Sequence, residues 1–205
     1  MARRDPAART GMSFVPRTPG EIAALIRDHP LAWVTSRDLD ATLLPLIVEG
    51  DAHGTPVALV GHYPRRNPQV AAFARDPRAL ILFTGPQGYV SPTLVSNPTW
   101  GATWNYAALR IVATLTFVPD ETEDALRRLA ARLEPTGGWR PEQMGERFDQ
   151  LARHVVAFRA QILSCEPQFK LGQDERVATF AEIVAGHPDP ALVMAMLRNR
   201  PHDHD

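Results

Sequence analysis

Apolar residues recur along this chain in two rhythms, and the switches between them predict most of its elements. From Pro19 to Asp28, Ile22, Leu25 and Ile26 are spaced as one helical face, and Pro30 closes the segment. Leu31 to Thr35, Thr42 to Glu49 and Pro56 to Gly61 predict three short strands. The last two are joined through Gly50-Asp51-Ala52-His53-Gly54, a hairpin-type connection. Asn67 to Arg75 is helical again, with Val70 and Phe73 inward and Asp76-Pro77 as its stop. Ala79 to Thr84 is a continuous apolar run of strand length, the pattern of a strand buried on both faces. Leu109 to Val118, β-branched and alternating, is the best strand in the chain.

Between the last two strands lies a polar stretch, Gly85 to Thr103, rich in Gly, Pro, Ser and Thr. A loop of that length inside a domain is usually functional or disordered, and Tyr89, Trp100, Trp104 and Tyr106 argue for function. Glu121 to Leu133 predicts an amphipathic helix whose apolar face is Ala125, Leu126, Leu129, Ala130 and Leu133. Pro141 to His154 predicts a second helix, Val155 to Ser164 a strand, and Arg176 to Ala185 and Pro190 to Arg198 two closing helices. Strands and helices do not alternate in a βαβ rhythm. The expected fold class is therefore mainly β with peripheral helices (α+β), a small barrel with helical decoration. The expected organisation is a disordered tail over 1–11, one barrel domain with a helical insertion over 12–175, and C-terminal helices and a frayed end over 176–205.

Composition narrows the function more than the fold. The 22 Lys and Arg against 23 Asp and Glu give a net charge of −1, so no broad positive field supports nucleic-acid binding. The single cysteine, Cys165, excludes an internal disulfide and a Cys-rich metal site, and reads as a small buried apolar residue. No apolar run is long enough to span a bilayer, and Met1 to Met12 has arginines with no apolar stretch behind them. The expected compartment is the cytoplasm, with no membrane partner. Gly-rich phosphate loops, HExxH, GxSxG and CxxC are all missing.

Three clusters at strand ends remain as candidate chemistry. The first is Gly61-His62-Tyr63-Pro64-Arg65-Arg66-Asn67-Pro68-Gln69, in which Arg65 and Arg66 can fork onto a phosphate and Asn67 can cap the next helix. A plain strand–turn–helix junction accounts for the same residues, and His62 reads first as a satisfied buried histidine, with proton donor and metal ligand as the alternatives. The second is Gly85-Pro86-Gln87-Gly88-Tyr89-Val90-Ser91-Pro92 with Thr103-Trp104-Asn105-Tyr106. There, two aromatics flanking an Asn can clamp a planar ring and bond its edge. The third is Gln168-Phe169-Lys170-Leu171-Gly172-Gln173, whose Lys170 and Gln173 can reach an anionic or amide group.

Taken in order, these clusters resemble the PaiB family, the FMN-binding negative transcriptional regulators. The likeness runs from Phe14-Val15-Pro16 through His29-Pro30, Gly61-His62, Arg65, Asn67-Pro68-Gln69, Gly85-Pro86, Tyr89-Val90-Ser91-Pro92 and Thr103-Trp104-Asn105-Tyr106 to Lys170-Leu171-Gly172-Gln173. It implies an FMN-binding split β-barrel, a homodimer with flavin between subunits, and a small-molecule substrate or ligand. By position, it implies cofactor-binding roles for His62, Arg65, Asn67, Ser91, Trp104, Asn105, Tyr106 and Lys170. It names no catalytic residue.

Three departures make the site more apolar than the family's. Leu43-Leu44-Pro45-Leu46 stands where the family has His-Leu-Pro-Phe, Leu94-Val95 replaces an aromatic pair, and Lys170-Leu171-Gly172-Gln173-Asp174 replaces Lys-Leu-Ser-Gln-Asn. An apolar pocket also suits a second branch, resembling the piperazate synthases, which bind haem b. In that alternative His62 is the axial ligand and the reaction forms a nitrogen–nitrogen bond. The functional expectation is thus a flavin-dependent oxidoreductase or a redox- or ligand-responsive regulator. A regulator without catalysis is the further alternative, and direct nucleic-acid binding is not expected because no helix–turn–helix is visible.

Overall fold

In a computed structural model of the chain, which describes residues 14–16 and 18–200, the run expected as one strand from Thr42 to Glu49 is broken at Leu46. That break organises the sheet. The strands are β1 (Leu31–Thr35), β2 (Ala41–Pro45), β3 (Ile47–Gly50), β4 (Pro56–Pro64), β5 (Arg78–Val90), β6 (Thr103–Phe117) and β7 (Val155–Lys170). They form one seven-stranded sheet in the order β2-β1-β5-β6-β7-β4-β3. Its two end strands are consecutive in sequence, separated by Leu46 alone, so the sheet curls until its ends approach. The Leu46 side chain fills the interior at the crossing and is buried. β1 runs antiparallel to both β2 and β5, and β4 runs antiparallel to both β3 and β7. This is a half-barrel with peripheral helices, the architecture that the family resemblance implies.

The residues divide into two compact units. The larger comprises residues 16–85 and 108–167, and the smaller comprises residues up to 15, 86–107 and those from 168 on. The curl lies in the larger unit. Alternation points Ala32 and Val34 of β1, Ile81 and Phe83 of β5, and Leu109, Ile111 and Ala113 of β6 into its core. Tyr63 is fully buried among aromatic rings, with Phe158 at 5.3 Å, Phe73 at 6.1 Å and Phe117 at 6.4 Å between centroids. Gly61 is needed where the wall is thinnest. A Cβ there would stand 2.5 Å from Leu46 Cδ2 and 2.9 Å from the Phe158 ring. On the other side of β4, Val60 and Ala157 pack against Ala125, with Ile47 and Val118 at the edge of the cluster.

Around the barrel run α1 (Pro19–Asp28), α2 (Pro68–Arg75), α3 (Thr122–Leu133) and α4 (Glu146–Ala152). α2 begins as its sequence predicts, since Asn67 Oδ1 accepts from the Gln69 amide and Pro68 opens the first turn. Gln69 then does more than continue a helix. Its side chain is buried, and its Oε1 accepts from Thr42 Oγ1 and from the Tyr63 hydroxyl at 3.2 Å. Its Nε2 donates to the carbonyl oxygens of Val34 at 3.0 Å and Asp40 at 2.7 Å. Asn67 Nδ2 donates to Thr42 Oγ1 at 3.0 Å, so α2, β1, β2, β4 and the β1–β2 turn share one polar knot.

Several elements differ from expectation. The helix expected over Pro141 to His154 is a 3-10 turn, Pro141–Met144, then Gly145, then α4. Gly145 has φ +55°, which a continuous right-handed helix does not accommodate. The Gly85 to Thr103 stretch is only partly loop. β5 continues through Val90 and β6 starts at Thr103, leaving a short 3-10 turn, Pro92–Leu94, and a connection between them. β4 extends to Pro64 and β7 to Lys170, so all three candidate clusters are partly strand. In the smaller unit these strand ends pack with α5 (Val177–Gly186) and α6 (Pro190–Arg198), where Phe169, Leu171, Phe180, Ile183, Leu192 and Met196 are buried. The expected disordered tail over 1–11 and frayed end at 202–205 lie outside the described residues. No helix among the described residues is long and apolar enough to cross a membrane.

Gln69→Leu keeps the volume and strands four polar partners. It is expected to lower the unfolding free energy in urea by about 3 kcal/mol with an unchanged denaturant slope. A loss below about 0.5 kcal/mol would mean that the knot is not what holds the turn and helix to the barrel.

Candidate functional site

Candidate residues fall in both units, and each unit commits them differently. In the larger unit Asn67 is used structurally, with its oxygen capping α2 and its amide on Thr42. Arg65 is also anchored: its backbone N–H donates to the His154 carbonyl at 2.9 Å and its Nε to the Arg153 carbonyl at 3.0 Å. Arg65 borders a cleft of about 580 Å³ lined also by Arg127, Arg153, Asp120, Glu123, Asp124 and Asp149, from α3, α4 and the residues beside them. Positive and negative groups are mixed there, so the cleft is not the simple phosphate fork expected from Arg65 and Arg66.

His62 stands opposite Ala157 of β7 and shares its side of β4 with Val60, the side that carries α3. Burial holds its imidazole pKa below the ordinary 6.5, so the ring is neutral at pH 7. Tyr63, pointing the other way into the core, has its phenol pKa pushed up by the same desolvation.

The smaller unit gathers the aromatic candidates. Trp104 and Tyr106 project from one side of β6, and Asn105 projects from the other. Asn105 is 2% exposed, and its Nδ2 points at Met196 Sδ of α6, 3.5 Å away. The expected clamp, two aromatics with an Asn at the ring edge, is therefore split by the alternation of the strand. What replaces it is a pair on neighbouring strands. Tyr89 and Trp104 lie 6.1 Å apart between centroids at an interplanar angle of 55°, and both are about half exposed. The Trp104 indole donates to Gln87 Oε1 at 2.8 Å, which fixes the ring plane.

Lys170 stands beside this pair. Its Nζ donates to Thr103 Oγ1 and to the Trp104 carbonyl oxygen at 3.2 Å, leaving one of three N–H bonds for a ligand. Ser91 accepts from the Thr93 amide at 3.2 Å and contacts the Thr93 hydroxyl at 2.9 Å, closing the turn after β5. Gln173, the other polar member of the third cluster, folds back instead. Its Oε1 accepts from the Leu171 amide at 2.6 Å and its Nε2 donates to the Phe169 carbonyl.

Gln87 and Thr103, both in the second cluster, support the aromatic pair, and so does His187, which its sequence context does not single out. His187 Nδ1 accepts from the Asp189 amide at 3.1 Å, so Nε2 carries the proton and donates to the Tyr89 carbonyl at 3.1 Å. That contact joins residues 98 positions apart, beyond any local pattern. Cys165 is only partly buried, and burial together with Glu166 pushes its thiol pKa up, away from thiolate reactivity.

The family described as "Putative FMN-binding domain" matches residues 12–164. Three solved structures share the fold. The FAD and heme binding protein from Mycobacterium smegmatis is 18% identical, with a TM-score of 0.54 over 83% of this chain and 79% of that one. A conserved hypothetical protein from Mycobacterium tuberculosis is 14% identical, with a TM-score of 0.55 over 80% and 93%. The flavocytochrome Anf3 from Azotobacter vinelandii is 15% identical, with a TM-score of 0.51 over 73% and 66%. No curated protein sequence matches the chain.

The lowered pKa of His62 has a measurable consequence. Because the unfolded chain takes up this proton first, near pH 6.5, stability is complete above that value. It is then lost as pH falls from 6.5 towards the lower folded-state value. His62→Phe should flatten urea-derived stability over that range, removing a slope of at most about 1.4 kcal/mol per pH unit. An unchanged slope in the variant would place the titrating group elsewhere.

Proposed function

The chain belongs to the FMN-binding domain family, and on that premise we propose that it is an FMN-binding redox protein whose smaller unit receives the flavin ring. One observation carries this reading: Tyr89 and Trp104, two large rings in a folded unit, are left half exposed beside an ammonium group with a free donor. Half-exposed aromatics held by hydrogen bonds to their surroundings favour a flat apolar ligand over solvent. The residues present fit FMN: Trp104 and Tyr106 share one side of β6, Lys170 offers a charge-assisted bond to an anionic oxygen, and the Ser91 hydroxyl is partly exposed. The flavin would supply electron transfer, and the protein would stack it, orient it and limit water. Asn67 and Asn105, by contrast, are already committed inside the protein. Either an oxidoreductase or a redox- or ligand-responsive regulator is consistent with such a site, and a net charge of −1 favours a regulator that acts through a partner rather than on DNA.

A haem b enzyme of the piperazate synthase type is the second reading, favoured by one feature. His62 is kept neutral by burial, the protonation state an axial ligand requires. Titration separates the two. FMN fluorescence should be quenched on binding the wild-type protein, and Trp104→Ala and Lys170→Met should each weaken that binding about tenfold. Unchanged FMN binding in Trp104→Ala would remove the aromatic pair from the site. Stoichiometric haem binding lost in His62→Ala, with no FMN binding by the wild type, would replace the flavin reading with the haem one.

A further inference from the structure

The cleft that Arg65 borders lies wholly within the larger unit, and its charged side chains divide into those with partners and those without. Arg127 is committed. Its Nε donates to Glu142 at 2.8 Å and a terminal nitrogen to Glu123 at 3.1 Å, and its guanidinium lies 4.8 Å over the Phe148 ring. Asp124 stands 3.7 Å from Arg128. Arg65, Arg153, Asp120 and Asp149 are left, and among the described residues none of the four has an ion pair. Asp149 and Arg153 are spaced i, i+4, acid before base, the arrangement in which opposite charges on a helix ordinarily meet, yet here they do not. Arg65 is held in place by its Nε bond to the Arg153 carbonyl, which leaves its terminal N–H groups unpartnered among the described residues and brings the two arginines together. Small buried residues, Thr122 and Ala152, complete the lining and leave room above them. A cleft of about 580 Å³ has the size of a small-molecule site.

We propose that this cleft binds a small zwitterion, a ligand with one carboxylate and one ammonium group, the chemistry of a free amino acid or a short ω-amino acid. Arg65 and Arg153 offer guanidinium forks to the carboxylate, and Asp120 and Asp149 accept from the ammonium. Two unpaired cations and two unpaired carboxylates make a neutral set, so a neutral ligand carrying both charges satisfies all four. A simple anion meets the carboxylates and a simple cation meets the arginines, and each leaves two groups unanswered. Phosphate-rich ligands are disfavoured by the acidic residues gathered at the start of α3, Asp120, Glu123 and Asp124. The inference goes beyond the flavin reading, because no residue that lines the cleft belongs to the smaller unit.

Calorimetric titration of the full chain at low ionic strength tests this, with glycine, 4-aminobutyrate and 6-aminohexanoate as zwitterions of increasing span. At least one should bind one-to-one with a Kd below about 1 mM. Its single-charge counterparts (acetate, butyrate or hexanoate, and the matching alkylamine) should bind at least about tenfold more weakly. Arg153→Gln and Asp149→Asn, both exposed, should each weaken the zwitterion about tenfold and leave FMN binding unchanged, which separates this site from the flavin site. Arg75→Gln, whose side chain pairs with Asp38 and does not line the cleft, should bind as the wild type does. The comparison of zwitterion with single-charge counterpart needs only the wild-type chain, so it decides even if a variant does not fold. No binding of any of the three at about 10 mM, a counterpart that binds as tightly as its zwitterion, or unchanged affinity in both cleft variants would overturn the proposal.

Discussion

The buried carboxamide of Gln69 is the interaction on which the larger unit depends. An amide offers two acceptor sites and two donors, and here all four are taken by groups from β1, β2, β4 and the β1–β2 turn. Each partner is itself a group that would be costly to leave unpaired in the core. The turn after β1 must therefore close where β2 can lie beside β1. β2 then ends one residue before the chain crosses to β3 at the other end of the sheet. Leu46 at that crossing meets Gly61, and Gly61 precedes His62 and Tyr63, so the knot and the thin part of the wall share β4.

This changes the meaning of a motif. Asn67-Pro68-Gln69 forms part of the resemblance to the flavin-binding family, and a motif beside two arginines invites a binding role. In the structure Asn67 caps a helix and Gln69 locks the barrel, while Arg65 hooks its turn onto the Arg153 carbonyl before α3 and α4 bring carboxylates towards it. A sequence motif can mark the scaffold of a family as readily as its site.

Much of the fold was legible because the hydrophobic period is strong where the core is. The helix from Pro19, the helix after Asn67, the strand at Leu31 and the long helix before Leu133 fall where apolar spacing and caps place them. What local pattern could not supply was the break at Leu46, since Thr42 to Glu49 alternates acceptably as one strand and only the sheet order demands two. Strand ends in the smaller unit were missed for a related reason. Gly85, Pro86 and Gly88 disfavour strand locally, and pairing along β5 outweighs them. In the candidate site, Trp104 and Lys170 were visible as residue types beside a polar stretch. Asn105 was misread because strand alternation, once β6 is known to begin at Thr103, turns it inward to Met196. The contact from His187 to the Tyr89 carbonyl joins distant segments and leaves no local trace.

The central claim is that the smaller unit's half-exposed aromatic pair and its lysine receive a flavin. The most direct test is the visible absorption spectrum of the freshly purified protein, repeated after reconstitution with FMN and removal of excess ligand. The account predicts the two-banded spectrum of an oxidised flavin that bleaches on reduction. A single sharp Soret band, or no retained chromophore after reconstitution, would contradict it.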